Sequence, residues 1–152
     1  GMATTLTGLL VVWPMLYLLQ VGDSRCYRYR AGALEQLSRD QTMAQDLVDL
    51  GLLPADRAGQ TRFANVLSSS IGGQASQPVV TSHPMAPGDI LMLCTDGLTK
   101  HVGAERISDR LGALTSSETT CRALLDDALA GGGSDNVTVL VLRAIVRPAP
   151  PA

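Results

Sequence analysis

The sequence predicts an α+β domain in which one antiparallel sheet packs on another and helices lie outside. Three observations lead there. The opening stretch to Val21 is almost wholly apolar yet splits at Trp13-Pro14, short strand-and-turn units continue to residue 37, and helix-period patterning is confined to later segments. Strands that are apolar on both faces must be covered on both faces, and strands first with helices later put the sheets back to back.

Leu6–Val12 and Met15–Val21 read as two buried strands, rich in strand formers and joined where Pro14 occupies a turn. A membrane helix needs about 20 apolar residues, and this run is shorter and broken by Pro14. A signal peptide needs a basic start and a small-residue cleavage site, and this stretch has neither. No membrane span is therefore expected. Gly22-Asp23-Ser24 is turn chemistry. Arg25–Arg30 and Leu34–Leu37 flank Ala31-Gly32-Ala33 as a second hairpin, so four successive strands form a meander. Met43, Leu47, Val48 and Leu50 mark a short helix within 42–52; Pro54 opens another helical turn and Gly59 ends it. Residues 65–77 read as loop, Val79–Ser82 as a short strand, 84–89 as a turn and Ile90–Thr95 as a strongly buried strand. Ala104–Leu114 is a helix. Ser117 caps the next one, whose Cys121, Leu124, Leu125, Ala128 and Leu129 share a face and which Gly131 stops. Asn136–Val146 is a central strand covered on both faces. The proline-rich tail 147–152 reads as an extended linker, and Gly1 before Met2 as a tag remnant.

The 152 residues suit one domain, and with aromatics at 3% its core must rest on Leu, Val, Ile, Ala and Met. A net charge of -2 gives no reason to expect nucleic acid as a partner. Arg25, Arg28 and Arg30, the densest basic group, read as a solvated strand face. The three cysteines are odd in number and form no C-x-x-C pair, which favours inert buried thiols in a reducing, cytoplasmic setting. His83 and His101 fit no zinc pattern.

Two motifs could carry chemistry. In "LCTDGLT" (93–99) Asp96 follows a buried strand, and in "GGSDNVTVLV" (132–141) Asp135 precedes another. If those strands are antiparallel neighbours, both carboxylates stand at one rim of the sheet. Adjacent carboxylates repel, and a hard divalent cation with oxygen ligands, Mg²⁺ or Mn²⁺, is the usual remedy. Asp-Gly and Asp-Asn are also ordinary turn dipeptides, and periodicity alone leaves both readings open.

Resemblance separates them. "TTLTGLLV", "VGDSRCYRYRAGALEQLSRDQT" (21–42), "AQDLVDLGLL" (44–53), "NVLSSSIGG" (65–73), "PGDILMLCTDGLTKHV" (87–102) and "GGSDNVTVLVL" (132–142) occur in the order of similar motifs in the bacterial metal-dependent protein phosphatases (PPM type, protein phosphatase 2C-like). The likeness covers 2–143 and implies a four-layer α-β-β-α sandwich of two antiparallel sheets. It implies hydrolysis of phosphoserine and phosphothreonine in proteins by water held between two Mn²⁺ or Mg²⁺ ions, and a serine/threonine kinase acting in opposition. Carried over by motif, Asp96 and Asp135 are ligands of the first metal, and Asp40 in "SRDQT" joins Asp96 at a third, weaker one. Gly97 and Asn136 shape the ligand-bearing loops. Asp23 is structural, fixing its hairpin by local hydrogen bonds. Residues 43–75 resemble the family's variable flap.

Two family motifs, R-x-x-N-E-D and D-G-x-G-G, are not in this sequence. No Asp or Glu precedes Asp23, and Asp96-Gly97 is the only Asp-Gly pair. Residues 2–146 are therefore expected to be the C-terminal part of a phosphatase domain lacking its N-terminal strands, roughly 60–90 residues in all. Little activity is expected of this chain alone, and its unpaired sheet edge is expected to pair with a second copy. Two alternatives compete: a non-catalytic regulatory or interaction protein of the same fold, and a β-sandwich binding module with turn aspartates.

Overall fold

A computed structural model describes residues 2–145, so the expected tag remnant and proline-rich tail lie outside the described residues. The opening hairpin forms where expected. Strands β1 (Leu6–Val12) and β2 (Met15–Val21) pair in register from Leu6–Val21 to Val12–Met15, with a cis Trp13–Pro14 peptide at the turn. β3 (Arg25–Arg30) and β4 (Ala33–Gln36) form the second hairpin. Ala31 and Gly32 both take left-handed φ (50° and 86°), the pairing that matches a tight two-residue turn to strand twist.

The two hairpins do not continue into one meander. β2 pairs on its other side with β5 (Val79–Pro84), giving a three-stranded sheet of order β1-β2-β5. β3 pairs with β6 (Ile90–Cys94), which pairs with β7 (Val139–Arg143), giving a four-stranded sheet of order β4-β3-β6-β7. The chain crosses between sheets at Gly22, where φ is +104° and a β-carbon would lie 2.4 Å from Thr5 Cγ2. Glycine is required there on both counts. Leu16, Leu18, Cys26, Leu37 and Leu91 fill the space between the sheets.

The other face of the four-stranded sheet is covered by α3 (Ala104–Gly112) and α4 (Ser117–Ala130), with the single turn α2 (Asp96–Thr99) between strand and helices. Met92, Cys94, Leu98, Ile107, Leu111, Leu124 and Ala128 are the centre of this second core. Burial pushes the Cys26 and Cys94 thiols up to about 12, the behaviour of inert core cysteines. A shorter helix, α1 (Met43–Asp49), and a 3-10 helix (Ala55–Gln60) sit in the long connection to β5.

Several expectations need correction. Ser116, not Ser117, caps α4, its Oγ accepting from Thr119 N–H at 3.1 Å. The buried stripe of α4 is Thr120, Leu124 and Ala128, while Leu125 and Leu129 are exposed, because α2, α3 and β7 lie on one side of the helix only. β7 is shorter than the expected strand and bare on one face: Val141 is buried against the helices, but Leu140 and Leu142, on the other face, are exposed because among the described residues no element packs over them. The three arginines are not a solvated face. Each holds a carboxylate: Arg25 with Asp40, Arg28 with Glu35 and Arg30 with Asp89.

Among the described residues, helices cover only the four-stranded sheet. The outer face of the three-stranded sheet is open, with Leu10 62% and Val80 64% exposed beside Val12 and Tyr17. The described residues thus supply three of the four expected layers. A separate apolar groove opens between the two sheets, lined by Leu9 and Val11 on the inner face of β1 and by Leu91 and Leu142 of the facing sheet.

Candidate metal centre

The register of β6 with β7 builds this site. Cys94 pairs with Val139, so the residues after β6 and before β7 are neighbours at one rim. Thr95 N–H donates to the Thr138 carbonyl (3.1 Å), Thr138 N–H donates to Thr95 Oγ1 (3.0 Å), and Thr95 Oγ1 donates to the Asn136 carbonyl (3.1 Å). The two aspartate loops are therefore stitched together through one threonine.

Gly97 brings them closer still. A β-carbon there would lie 2.3 Å from the Asn136 carbonyl oxygen and 3.4 Å from Asp135 Cβ. Only glycine admits that approach. Gly97→Ala is expected to force the loops apart and cost about 1–3 kcal/mol, read as a lower midpoint in thermal unfolding. Gly59→Ala, where nothing lies within 4 Å, is the control and should change little.

The result is a convergent pair of carboxylates. Asp96 Oδ2 lies 2.7 Å and Asp135 Oδ2 2.6 Å from the same atom, Lys100 Nζ. Lys100 is one helical turn beyond Asp96, and its backbone N–H donates to the Asp96 carbonyl (2.9 Å). The Lys100 hydrogen bond holds the Asp135 carboxyl below the usual carboxylate range, helped by Asn136 N–H at 2.8 Å. The same two aspartates, Asp135 foremost, raise the ammonium above its ordinary value.

The glycine loop before Asp135 has its own clasp. His101 Nδ1 donates to the Gly131 carbonyl (3.0 Å), while Nε2 accepts from Ser134 N–H (3.1 Å). That pattern puts the ring proton on Nδ1.

Asp23, Asp40 and Asp96 share one polar cleft with Arg25, Thr99 and Lys100. Asp40 is clamped: Arg25 Nη2 donates to its Oδ2 at 2.6 Å, Arg25 Nε lies 3.0 Å from both oxygens, and Gln36 Nε2 adds a bond of 3.1 Å. Burial raises the Asp23 carboxyl, and nearby Asp96 and Asp40 push the same way. Two glutamines also hold its turn: Gln20 Nε2 donates to the Gly22 carbonyl (3.1 Å) and Gly22 N–H donates to Gln41 Oε1 (2.6 Å).

The site thus joins Asp96, Gly97, Asp135 and Asn136, with Asp40 and Asp23 across the cleft. Sequence reasoning missed Lys100, Thr95 and the His101–Ser134 clasp. For Lys100 a signal existed, since a base four residues after an acid on a helix faces it. Nothing in the sequence marks the other two. Among the described residues no three His, Cys, Asp or Glu side chains gather as a ready metal cluster.

Comparison with known proteins follows the same lines. The family described as "Stage II sporulation protein E (SpoIIE)" matches residues 15–145. The serine/threonine protein phosphatase PstP of Mycobacterium tuberculosis is 38% identical over 145 residues, which are 95% of this chain and 28% of that protein. The serine/threonine phosphatase stp of Listeria welshimeri is 31% identical over 144 residues, 94% of this chain and 57% of that one. The crystal structure of the Mycobacterium tuberculosis phosphatase PstP/Ppp superposes with a TM-score of 0.89 at 36% identity, covering 96% of this chain and 62% of that chain. The catalytic domain of PstP in complex with two manganese ions superposes with a TM-score of 0.84, covering 60% of that domain's chain. This chain therefore spans less than two thirds of each of these phosphatases: 28% and 57% of the two curated relatives and about 60% of the crystallised chains.

Proposed function

The chain belongs to the metal-dependent protein serine/threonine phosphatase family (PPM type, protein phosphatase 2C-like), and from that membership we propose that its residues 2–146 form part of a phosphatase domain that holds a divalent cation through Asp96 and Asp135. The observation that carries this is the convergence of both carboxylates on one positively charged atom. The donor set fits a hard cation: two oxygens from two stitched loops, with the ammonium standing where a metal ion would stand.

When bound, Mn²⁺ or Mg²⁺ would supply positive charge to a phosphoryl oxygen and a water made acidic enough to attack phosphorus. The chain's own residues prepare that place. Gly97 and Thr95 fix the distance between the ligand loops, and His101 holds the glycine loop that aims Asp135. Asp40 would serve the third, weaker metal beside Asp96, and Arg25 must release it first. Asp23 shapes the cleft floor. Residues 43–75 act as the flap-like region next to it.

The substrate in this reading is a phosphoserine or phosphothreonine protein, with a serine/threonine kinase in opposition. A cytoplasmic setting belongs to the same reading, and the three free cysteines support it. Among the described residues no helix is long and apolar enough to cross a membrane. A second reading, a non-catalytic regulatory protein of this fold, is favoured by one observation: a lysine already bridges the carboxylate pair.

Isothermal titration with Mn²⁺ tests the proposal. The wild-type chain should bind the ion and Asp96→Ala should lose that binding by about a hundredfold or more; equal titrations of the two proteins would leave the aspartates as turn residues. The open strand edges and apolar groove should also draw two copies together. Light scattering should show mass rising with concentration, and a constant monomer mass would count against it.

A further inference from the structure

We infer that Lys100 is a tethered cation that occupies the position between Asp96 and Asp135 and competes with the divalent metal for it. The inference rests on the metal reading of those two aspartates and adds a residue that works against them.

The geometry is specific. An ammonium has three N–H donors and no acceptor, and here Nζ reaches both carboxylates at 2.7 and 2.6 Å. Its backbone is fixed by the Asp96 carbonyl, so the side chain is anchored within one turn of its first partner. The loops cannot drift away from it, because Thr95 and the Gly97 approach lock them together. A lysine cannot ligate a metal while charged. The ammonium and a divalent ion therefore exclude each other from the same point.

Two facing carboxylates without a cation repel. Lys100 offsets that repulsion with a single charge, so the metal-free chain is not strained, and metal uptake becomes an exchange. The divalent ion enters, the ammonium leaves, and its own attraction for the pair is subtracted from the metal's affinity. The lysine side chain is 31% exposed, which gives it a route to solvent when displaced. The chain should bind metal more weakly than its carboxylates alone would allow.

The test uses the full 152-residue chain, Mn²⁺ alone as the probe, and calorimetric titration at fixed ionic strength. Lys100→Met removes the charge and keeps the length; Lys100→Arg keeps a charge. Lys100→Met should bind Mn²⁺ about tenfold tighter or more than wild type. Lys100→Arg should stay close to wild type, and Asp135→Asn added to Lys100→Met should abolish the gain. Without metal, Lys100→Met should melt below wild type, and Mn²⁺ should restore it. If wild type binds Mn²⁺ at a site that Asp135→Asn destroys, yet Lys100→Met binds no tighter, the competition is refuted while the metal site stands. If no protein in the set binds Mn²⁺, the metal site is refuted and the competition with it.

Discussion

Supplied with Mn²⁺ and a phosphoserine peptide, the 152-residue chain is expected to release little or no more phosphate than buffer does. The reason is the number of charges it can bring to one phosphoryl group. Asp96 and Asp135 offer a single cation two carboxylates, and Lys100 already stands between them. Asp40 lies across the cleft but is clamped by Arg25. Among the described residues no third acidic or histidine side chain joins the pair. In-line displacement at phosphorus in a two-metal site needs ions about 3.5–4 Å apart to hold the attacking and leaving oxygens. With one ion the leaving oxygen loses its clamp, and most of the six or more orders of magnitude typical of enzymes, roughly 8 kcal/mol or more, goes with it. Phosphate release is measured with a colorimetric assay over hours, against Asp96→Ala. Mn²⁺-dependent turnover well above that variant would mean the chain assembles a second metal position by other means.

Asp89→Ala is expected to lower stability by roughly 2–3 kcal/mol, or about 4–12 °C in the unfolding midpoint. Asp89 is fully buried where the turn after β5 meets β6. Its Oδ1 accepts from Arg30 Nε and its Oδ2 from Arg30 Nη2, both at 2.6 Å, and Oδ2 also accepts from Ala86 N–H at 2.8 Å. Removing the carboxylate leaves those donors unmatched. The cost stays at the lower end for a buried pair because Arg30 is 39% exposed and can be rehydrated. A pH dependence follows. The Arg30 hydrogen bond holds the Asp89 carboxyl below its ordinary value. A lowered carboxyl adds stability above the unfolded value of about 3.9 and loses it as pH falls through the folded one. Wild type should therefore exceed Asp89→Ala by the full margin at pH 7, and the gap should narrow below about pH 4. A gap unchanged down to pH 2 would mean that the carboxylate's charge is not what stabilises the turn.

Local chemistry was legible and tertiary neighbourhood was not. The bounds of β1 and β2 follow from the sequence because a proline splits two runs of strand formers. The meeting of Asp96 and Asp135 also follows, because antiparallel neighbours bring the end of one strand to the start of the next. The chain's crossing at Gly22 was hidden, since a glycine turn looks the same within a sheet and between sheets. Arg25 and Asp40 are fifteen residues apart, and the β3–β4 hairpin brings the chain after β4 back beside Arg25; the hairpin was legible, but the path of the chain beyond Gln36 that turns Asp40 onto the guanidinium was not. The exposed leucines of α4 and β7 carry the residue types of buried positions; what they lack is an element to cover them.

The most direct measurement is diffraction at the manganese edge from crystals of this chain grown or soaked with Mn²⁺. The expected result is an anomalous peak about 2 Å from a carboxylate oxygen of both Asp96 and Asp135, with the Lys100 ammonium displaced from between them. No peak at that point, with Lys100 still bridging the two aspartates at saturating Mn²⁺, would contradict a metal site there.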